Sequence, residues 1–334
     1  MKIMVAQSSA GKIAGLAGYG EALGDFLTSE GHKVQSLDLP PIAAPDRTLT
    51  NVVSLRLLGT AESAEALICL DPVAALLRHP RKLVWLLDDA YLDGDPIRLA
   101  EEHASACSYL ANVLRASIAE ASAIFSPSRF GLKKLRVLSF DDAQLLRPEL
   151  PQPPTRYARN PGSELLVLNV LGDRQRPDLL IACLAALPEP FRARWIAPSE
   201  QPGTVTRLRR LAQEAGVEQR LVIEVRSIDA GEQAYLLAHA AALLELAQDA
   251  VATTCTVQNA IRCGVPVIAC NDGGALTEIY SGRASRKPAK PEGAALAQAV
   301  LSACALPDEK SSRSAPLAKP RVTSWIPLAK ALSE

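Results

Sequence analysis

This chain of 334 residues contains few aromatic residues and has no excess of either charge. Phe, Trp and Tyr make up 4% of the sequence, and 36 Lys and Arg balance 36 Asp and Glu, so that the formal net charge is +0. Nucleic-acid-binding domains depend on a basic surface and on aromatic rings that stack with bases. The sequence therefore predicts that nucleic acid is not a partner.

Long apolar runs are missing as well. No stretch approaches the roughly 20 apolar residues that are needed to span a bilayer. The N-terminal residues 1–7 lack the basic region and the small-residue cleavage site of a signal peptide. We therefore expect a cytoplasmic protein. No strongly amphipathic basic helix is evident, so peripheral contact with the inner face of the membrane stays open without support from the sequence.

The cysteine pattern excludes a disulfide framework and a zinc site. The seven cysteines form no C-x-x-C pair, and most of them lie among apolar residues, as small buried side chains do in a reducing cytoplasm. Cys255, Cys263 and Cys270 are near one another in sequence, but their spacing matches no zinc pattern and no histidine lies nearby. We expect no metal site and no metal cofactor. The other cysteines are Cys69, Cys107, Cys183 and Cys304.

Proline is concentrated in one segment, which divides the chain. Five prolines lie between residues 147 and 162, a density that blocks helix and sheet and makes a stiff linker. The length suits about two domains, and 48% apolar residues can build sizeable cores. The predicted organisation is a first domain at 1–147, a linker at 148–162, a second domain at 163–318 and a terminal segment at 319–334.

Each predicted domain alternates short apolar strands with helices, which is typical of a parallel α/β sheet. In the first domain we predict strands at 2–7, 33–37, 66–70, 82–87 and 123–126, a glycine-rich loop at 11–20, and helices at 21–30, 105–121 and from 129. In the second we predict strands at 165–170, 193–196, 221–225 and 265–269, and helices at 178–186, 205–215, 233–241 and 251–263.

Residues 264–280 are the most informative stretch. A short β-branched strand is followed by Gly273 and Gly274, which permit close approach of the backbone to a ligand because they carry no Cβ. Glu278 comes at the start of a predicted helix. A strand, a glycine turn and a helix N-terminus together present N–H groups at the carboxyl edge of a sheet, where phosphates and hydroxyls bind.

This stretch resembles the donor-sugar loop of retaining GT-B glycosyltransferases of the family 4 type (glycosyl transferases group 1), whose signature is G-x-P-V-I-A…G-G…E-I. The resemblance implies an α/β fold of two facing Rossmann-like domains with a C-terminal helix that crosses back to the first domain. Other segments resemble the family in the same order and spacing, namely Gly18–Glu21, Gly31–Val34, Phe125–Arg129, Gly172–Leu180 and Arg321–Trp325.

The chain departs from the family at its acidic pair. The family carries a Glu-x7-Glu motif that contacts the sugar and the nucleotide ribose, and these positions fall on Val251 and Asn259. The motif is therefore degenerate. Asn259 can still hydrogen-bond a ribose hydroxyl, although more weakly than a carboxylate would. Asp249 lies two residues before Val251 and can substitute if a small insertion is allowed for.

The resemblance also implies roles for basic residues and for a second acidic pair. Arg174 and Arg176 are candidate phosphate ligands, because guanidinium groups suit phosphate oxygens, or else a solvated pair at a turn. Asp88 and Asp89 stand where the family has a histidine. They are candidates to position an acceptor hydroxyl or to act as a base, or else they cap a helix.

Two further groups complete the candidate site. Gly273, Gly274 and Glu278 are candidates to hold the sugar, although helix dipoles alone also favour a glutamate at a helix start. The loop residues that could cradle a phosphate or an acceptor are Gly15, Gly18, Tyr19 and Gly20.

The implied activity is transfer of a sugar from a UDP- or GDP-sugar to a glycan, lipid-linked or protein acceptor with retention of configuration, as in bacterial-type polysaccharide biosynthesis. The main alternative is a catalytically degenerate subunit that binds or scaffolds an active glycosyltransferase. A sugar epimerase or phosphorylase is a weaker rival, because the carboxylates or the extra phosphate site that they need are not seen. Hydrolase and kinase motifs are absent from the sequence.

Overall fold

A computed structural model gives the architecture. It describes residues 1–8, 17–40, 48–58, 63–87, 92, 104–147, 157–158, 160–198, 200–247, 254–272, 290–304 and 324–334. The chain forms two compact units, of which the first comprises Met1–Lys12, Tyr19–Leu150 and Val322–Glu334, and the second comprises Ile13–Gly18 and Pro151–Arg321. Among the described helices, none combines the length and the apolar character needed to cross a bilayer.

The first unit is built on a parallel sheet whose strand order is β2-β1-β3-β4-β5-β6. The strands are β1 (Lys2–Ser8), β2 (Lys33–Leu39), β3 (Ala66–Cys69), β4 (Lys82–Trp85), β5 (Ala123–Ser126) and β6 (Gln144–Leu145). The helices are α1 (Ala17–Ser29), α2 (Thr48–Arg56), α3 (Ala104–Ala119) and α4 (Arg129–Val137). Strands β3 and β4 are buried along their whole length, as parallel strands with helices on both faces must be.

A C-terminal helix, α10 (Ile326–Ser333), packs within the first unit. Trp325, just before it, stacks on Phe26 at 4.8 Å between ring centroids and meets Trp85 edge-on at 5.6 Å. Arg81 donates a short hydrogen bond to the carbonyl oxygen of Leu332 in the last turn of the helix, where a cation is favoured by the helix dipole. The predicted return of the C-terminal helix to the first domain is confirmed.

The second unit has a parallel sheet of order β11-β10-β7-β8-β9. Its strands are β7 (Glu164–Leu168), β8 (Arg192–Ala197), β9 (Leu221–Val225), β10 (Ala242–Glu245) and β11 (Val267–Ala269). Its helices are α5 (Pro177–Ala186), α6 (Thr204–Glu214), α7 (Ala230–His239), α8 (Thr254–Arg262) and α9 (Gly293–Cys304). One buried cluster joins the sheet to α5, α6 and α9, and another joins it to α7 and α8.

Several elements differ from the sequence prediction, because β6, β10, α2 and α9 were not predicted and β11 begins later than expected. Strand β10 was not predicted, because Ala and Leu are helix formers and its Ala-Leu-Leu-Glu run contains no β-branched residue. It lies inside the sheet all the same, since pairing with β7 and β11 buries all of it. Strand β11 begins at Val267 rather than at 265. The N–H of Val265 does not pair within the sheet, because it donates to the carbonyl oxygen of Ala260 at the end of α8. Gly264, with a left-handed φ of 70°, caps this helix.

Candidate functional site

The carboxyl ends of β7, β10 and β11 lie side by side in the second sheet. Leu243 of β10 is opposite Leu166 of β7, and Glu245 is opposite Ala269 of β11. All three strands run in the same direction, so the residues that follow them meet at one edge. Ligands of open α/β sheets bind at this edge, beyond the carboxyl ends of the strands.

Arg176 is joined to the end of β11 by a bidentate ion pair. It has a left-handed backbone (φ 52°, ψ 60°) between the 3-10 turn Asp173–Gln175 and α5. Its guanidinium donates to the two carboxylate oxygens of Asp272 at 2.8 and 2.6 Å. These hydrogen bonds hold the pKa of Asp272 below its ordinary value. The guanidinium predicted to grip phosphate is therefore engaged by a carboxylate in this structure.

The ends of the sheet carry further polarity next to this pair. Cys270 is buried directly after β11, and burial raises the pKa of its thiol, while the charge of Arg176 acts in the opposite direction. Asp173 forms a short ion pair with Arg207 of α6. Arg174 lies in the same 3-10 turn as Asp173, two residues before Arg176. The turn after β7 thus carries two arginines, and the guanidinium of Arg176 is paired with a carboxylate.

Asn259, at the position of the second family glutamate, is held by a neighbouring helix. Its side-chain nitrogen donates to the carboxamide oxygen of Gln233 on α7 at 2.7 Å, and Gln233 is itself buried. A neutral amide pair therefore stands where the resemblance implies a carboxylate. Amides donate as well as accept, so this pair offers a ligand hydroxyl weaker acceptors than a carboxylate does.

Sequence reasoning missed two buried polar residues at the same edge. Glu245 ends β10 with 1% of its surface exposed, and Asn169, just after β7, has 3% exposed. The side-chain nitrogen of Asn169 donates to Glu245 Oε1 at 3.3 Å, as does the backbone N–H of Ala247 at 3.3 Å. The available signal was a lone glutamate inside the apolar run at 240–247, which charged side chains rarely enter without a partner.

The predicted glycine loop of the first domain is in part a helix. Helix α1 begins at Ala17, so Gly18, Tyr19 and Gly20 lie in its first turn and the predicted loop at 11–20 is wrong for them. Tyr19 is fully buried, with its ring 5.4 Å from that of Trp85. Packing of this ring against Trp85 fixes the first turn of α1 to the core of the first unit. Its proposed contact with phosphate or acceptor stays a prediction.

The remaining candidates are not placed by the structure. Asp88, Asp89, Asp249, Glu278 and the three glycines Gly15, Gly273 and Gly274 lie outside the described residues. Within the part of the chain that is described, no group of three or more His, Cys, Asp or Glu side chains is arranged to hold a metal ion.

No protein-family model matches this sequence, and no curated protein matches it in sequence. Several solved structures match over nearly the whole chain. WaaG, a glycosyltransferase involved in lipopolysaccharide biosynthesis, has a TM-score of 0.67 at 13% identity, covering 99% of this chain and 98% of WaaG. HepE of Anabaena, solved in complex with UDP and glucose, has a TM-score of 0.63 at 16% identity, covering 100% of both chains.

A third similar structure carries a different assignment. A Listeria monocytogenes protein assigned to the UDP-N-acetylglucosamine 2-epimerases has a TM-score of 0.59 at 13% identity, covering 99% of this chain and 95% of its own. Similarity at such low sequence identity establishes the fold only. The reaction has to be inferred from the residues of the site. Two parallel α/β sheets and these neighbours confirm the predicted fold class, and the chain has the GT-B fold.

Proposed function

We propose that this protein is a retaining glycosyltransferase that uses a UDP- or GDP-sugar. The observation that carries the proposal is the set of polar side chains at the carboxyl edge of the second sheet of a GT-B fold, with Arg174 in the turn after β7 and Arg176 directly after that turn. HepE, which is similar along its full length, was solved with UDP and glucose. The proposed acceptor is a glycan, a lipid-linked sugar or a protein, in bacterial-type polysaccharide biosynthesis at the cytoplasmic side of a membrane.

The proposed mechanism keeps the acceptor on the same face of the sugar as the leaving group. The donor phosphate takes the proton of the attacking hydroxyl, and Arg174 or Arg176 stabilises the charge that develops on the leaving diphosphate. Asn259 holds the ribose. Gly273, Gly274 and Glu278 hold the sugar, while the acceptor lies near Gly15–Gly20 and Asp88-Asp89.

Calorimetric titration with UDP, GDP, UDP-glucose and GDP-mannose tests the proposal. We expect selective binding of one nucleotide and its nucleotide sugar. When the donor alone is incubated with the protein, we expect slow release of free nucleotide and free sugar, because water takes the place of the acceptor hydroxyl. No binding of any of the four at millimolar concentration would contradict it.

The alternative is a degenerate subunit that supports another glycosyltransferase. It is favoured by Val251 and by the amide pair of Asn259 and Gln233 at positions where the resemblance implies carboxylates. The two proposals differ in turnover. A degenerate subunit does not turn over a nucleotide sugar, and absence of nucleotide binding would favour it; it restores or raises the activity of a partner glycosyltransferase.

Replacing Asp272 with asparagine tests whether Arg176 binds phosphate. If the diphosphate must displace Asp272 from the guanidinium, D272N removes the competing carboxylate, and the UDP or GDP dissociation constant should fall about threefold to tenfold. A threefold change corresponds to about 0.6 kcal/mol and a tenfold change to about 1.4 kcal/mol. Exposed ion pairs contribute about 0.2–1 kcal/mol, and a bidentate, partly buried pair is expected at or slightly above the upper end of that range.

The matched control is Glu214→Gln, which also removes one carboxylate from an arginine but in the exposed pair with Arg210. Its nucleotide affinity should equal that of the wild type. A D272N variant that binds nucleotide no better than the wild type would mean that Arg176 only anchors the end of β11.

A further inference from the structure

We propose that Glu245 and Asn169 together form a recognition site for the sugar hydroxyls of the donor. This inference rests on the proposed function and deepens it, because it names the groups that read the sugar. It also supplies an acidic residue in a chain whose Glu-x7-Glu positions carry Val251 and Asn259.

The position of the two residues suits a ligand of the sheet edge. Glu245 is the last residue of β10, and Asn169 follows β7, the strand next to β10. Strands β7 and β10 are far apart in the chain but adjacent in the sheet. The pair therefore lies where parallel sheets present side chains to a ligand.

Two of the hydrogen bonds that Glu245 accepts are long. Those from Asn169 and from the N–H of Ala247 are both 3.3 Å, beyond the usual range for N–H···O bonds. A carboxylate has about four acceptor sites. A ligand hydroxyl that donates to one of them forms a charge-assisted hydrogen bond, which is stronger than a hydrogen bond between neutral groups.

Asn169 provides a second acceptor beside the carboxylate. Its side-chain nitrogen is used by Glu245, and its side-chain oxygen, although buried, has no hydrogen-bond partner among the residues that the structure describes. Nearly all buried polar atoms in proteins are paired, so an orphaned one calls for an explanation. Thr256, in the first turn of α8, carries another buried oxygen in the same state within the described ranges.

The chemistry of these groups selects a hydroxylated part of the ligand. A carboxylate oxygen and an amide oxygen both accept hydrogen bonds, so the matching group must donate, and neighbouring sugar hydroxyls donate in this way. The negative charge of Glu245 repels a phosphate. The burial of both side chains shields such hydrogen bonds from competing water, which strengthens them.

A cation and a carboxylate both lie near the end of β11. Glu245 is opposite Ala269 in the sheet, and Arg176 donates to Asp272, three residues after Ala269. In a nucleotide sugar the diphosphate is bonded directly to the hydroxylated sugar. A diphosphate bound at Arg176 would therefore bring its sugar to the part of the edge where Glu245 lies.

The test compares Glu245→Gln and Asn169→Ala with wild type by calorimetric titration of UDP and UDP-glucose, or of GDP and GDP-mannose if the wild type selects guanine. Glu224→Gln is the matched control, because Glu224 lies on the edge strand β9 of the same sheet and pairs with Arg194 and Arg226. Both test variants should bind the nucleotide with the affinity of the wild type. They should bind the nucleotide sugar about tenfold more weakly than the wild type does, as expected for a lost hydrogen bond to a charged group. The control should bind both as the wild type does.

Titration of the monodeoxy analogues of the bound sugar separates recognition from a structural role. The wild type should discriminate against at least one analogue, and Glu245→Gln should lose that discrimination. Equal loss of nucleotide and nucleotide-sugar affinity, or unchanged sugar affinity in both variants, would overturn the inference. Absence of nucleotide binding by the wild-type protein would instead refute the proposed function itself.

Discussion

Replacing Glu120 with alanine is expected to lower the free energy of unfolding by about 3 kcal/mol, although this side chain is 41% exposed. The reason lies in its partner. The ammonium of Lys82 has 0% exposure, donates to Glu120 Oε2 at 2.9 Å, and also donates to the carbonyls of Ala75 and Leu77 at 3.0 and 3.2 Å. Without Glu120 a buried cation loses its counter-charge. Urea denaturation measures the change.

The matched control is Glu214→Ala, which breaks an exposed pair with Arg210 and should cost only about 0.3–0.5 kcal/mol. The double variant Lys82→Met with Glu120→Ala should cost less than the sum of the two single variants, since the carboxylate has no buried cation to balance once Lys82 is gone. If the two effects on the free energy of unfolding are additive, Lys82 and Glu120 do not stabilise each other, which would contradict this account.

The same pair predicts acid sensitivity. Burial raises the pKa of Glu120, but hydrogen bonds from Lys82 and Arg56 outweigh burial and hold the pKa below the ordinary value. The pair therefore contributes stability above the unfolded-state pKa of about 4.3, and this contribution is lost as the pH falls through the lower folded pKa. The stability gap between wild type and Glu120→Ala should accordingly narrow in acid. A gap that stays constant down to pH values where the wild type unfolds would contradict this account.

Replacing Gly293 with alanine should destabilise the second unit by about 1–3 kcal/mol, because the backbone of α5 occupies the space that a side chain would need. A Cβ on Gly293 would lie 2.5 Å from the carbonyl carbon, 2.6 Å from the Cβ and 2.7 Å from the carbonyl oxygen of Ala182. Backbone cannot move aside as a flexible side chain can, so α9 would have to shift away from α5.

Gly24→Ala in α1 is the matched control, since among the described residues nothing beyond the neighbouring backbone of α1 itself lies within 4 Å of its added Cβ. Alanine is the better helix former by about 1 kcal/mol, so this variant should be as stable as the wild type or more so. Chemical denaturation measures whether the free energy of unfolding falls in Gly293→Ala and stays equal or rises in Gly24→Ala. A neutral Gly293→Ala would show that α5 and α9 are farther apart than in this structure.

Local patterns in the sequence predicted two α/β domains, whereas the GT-B fold was implied by the resemblance to glycosyltransferases. Apolar β-branched runs bounded by glycine and proline predicted most strands, and strands β5 and β9 have the predicted bounds. The resemblance of Arg321–Trp325 to the same family implied the returning helix, and Trp325 stacks on Phe26. Strand β10 escaped prediction, because the feature that makes it a strand is burial between β7 and β11 rather than its own propensity.

The candidate site was predictable only in part. The sequence by itself determined which strand ends carry glycines and charges, because turn chemistry and alternation are local properties. Only the tertiary structure decided which of those side chains meet. Arg176 pairs with Asp272, which is 96 residues away in the chain, and Asn169 pairs with Glu245, which is 76 residues away. Neither pair can be predicted from the local sequence pattern, because the order of the strands in the sheet brings these residues together.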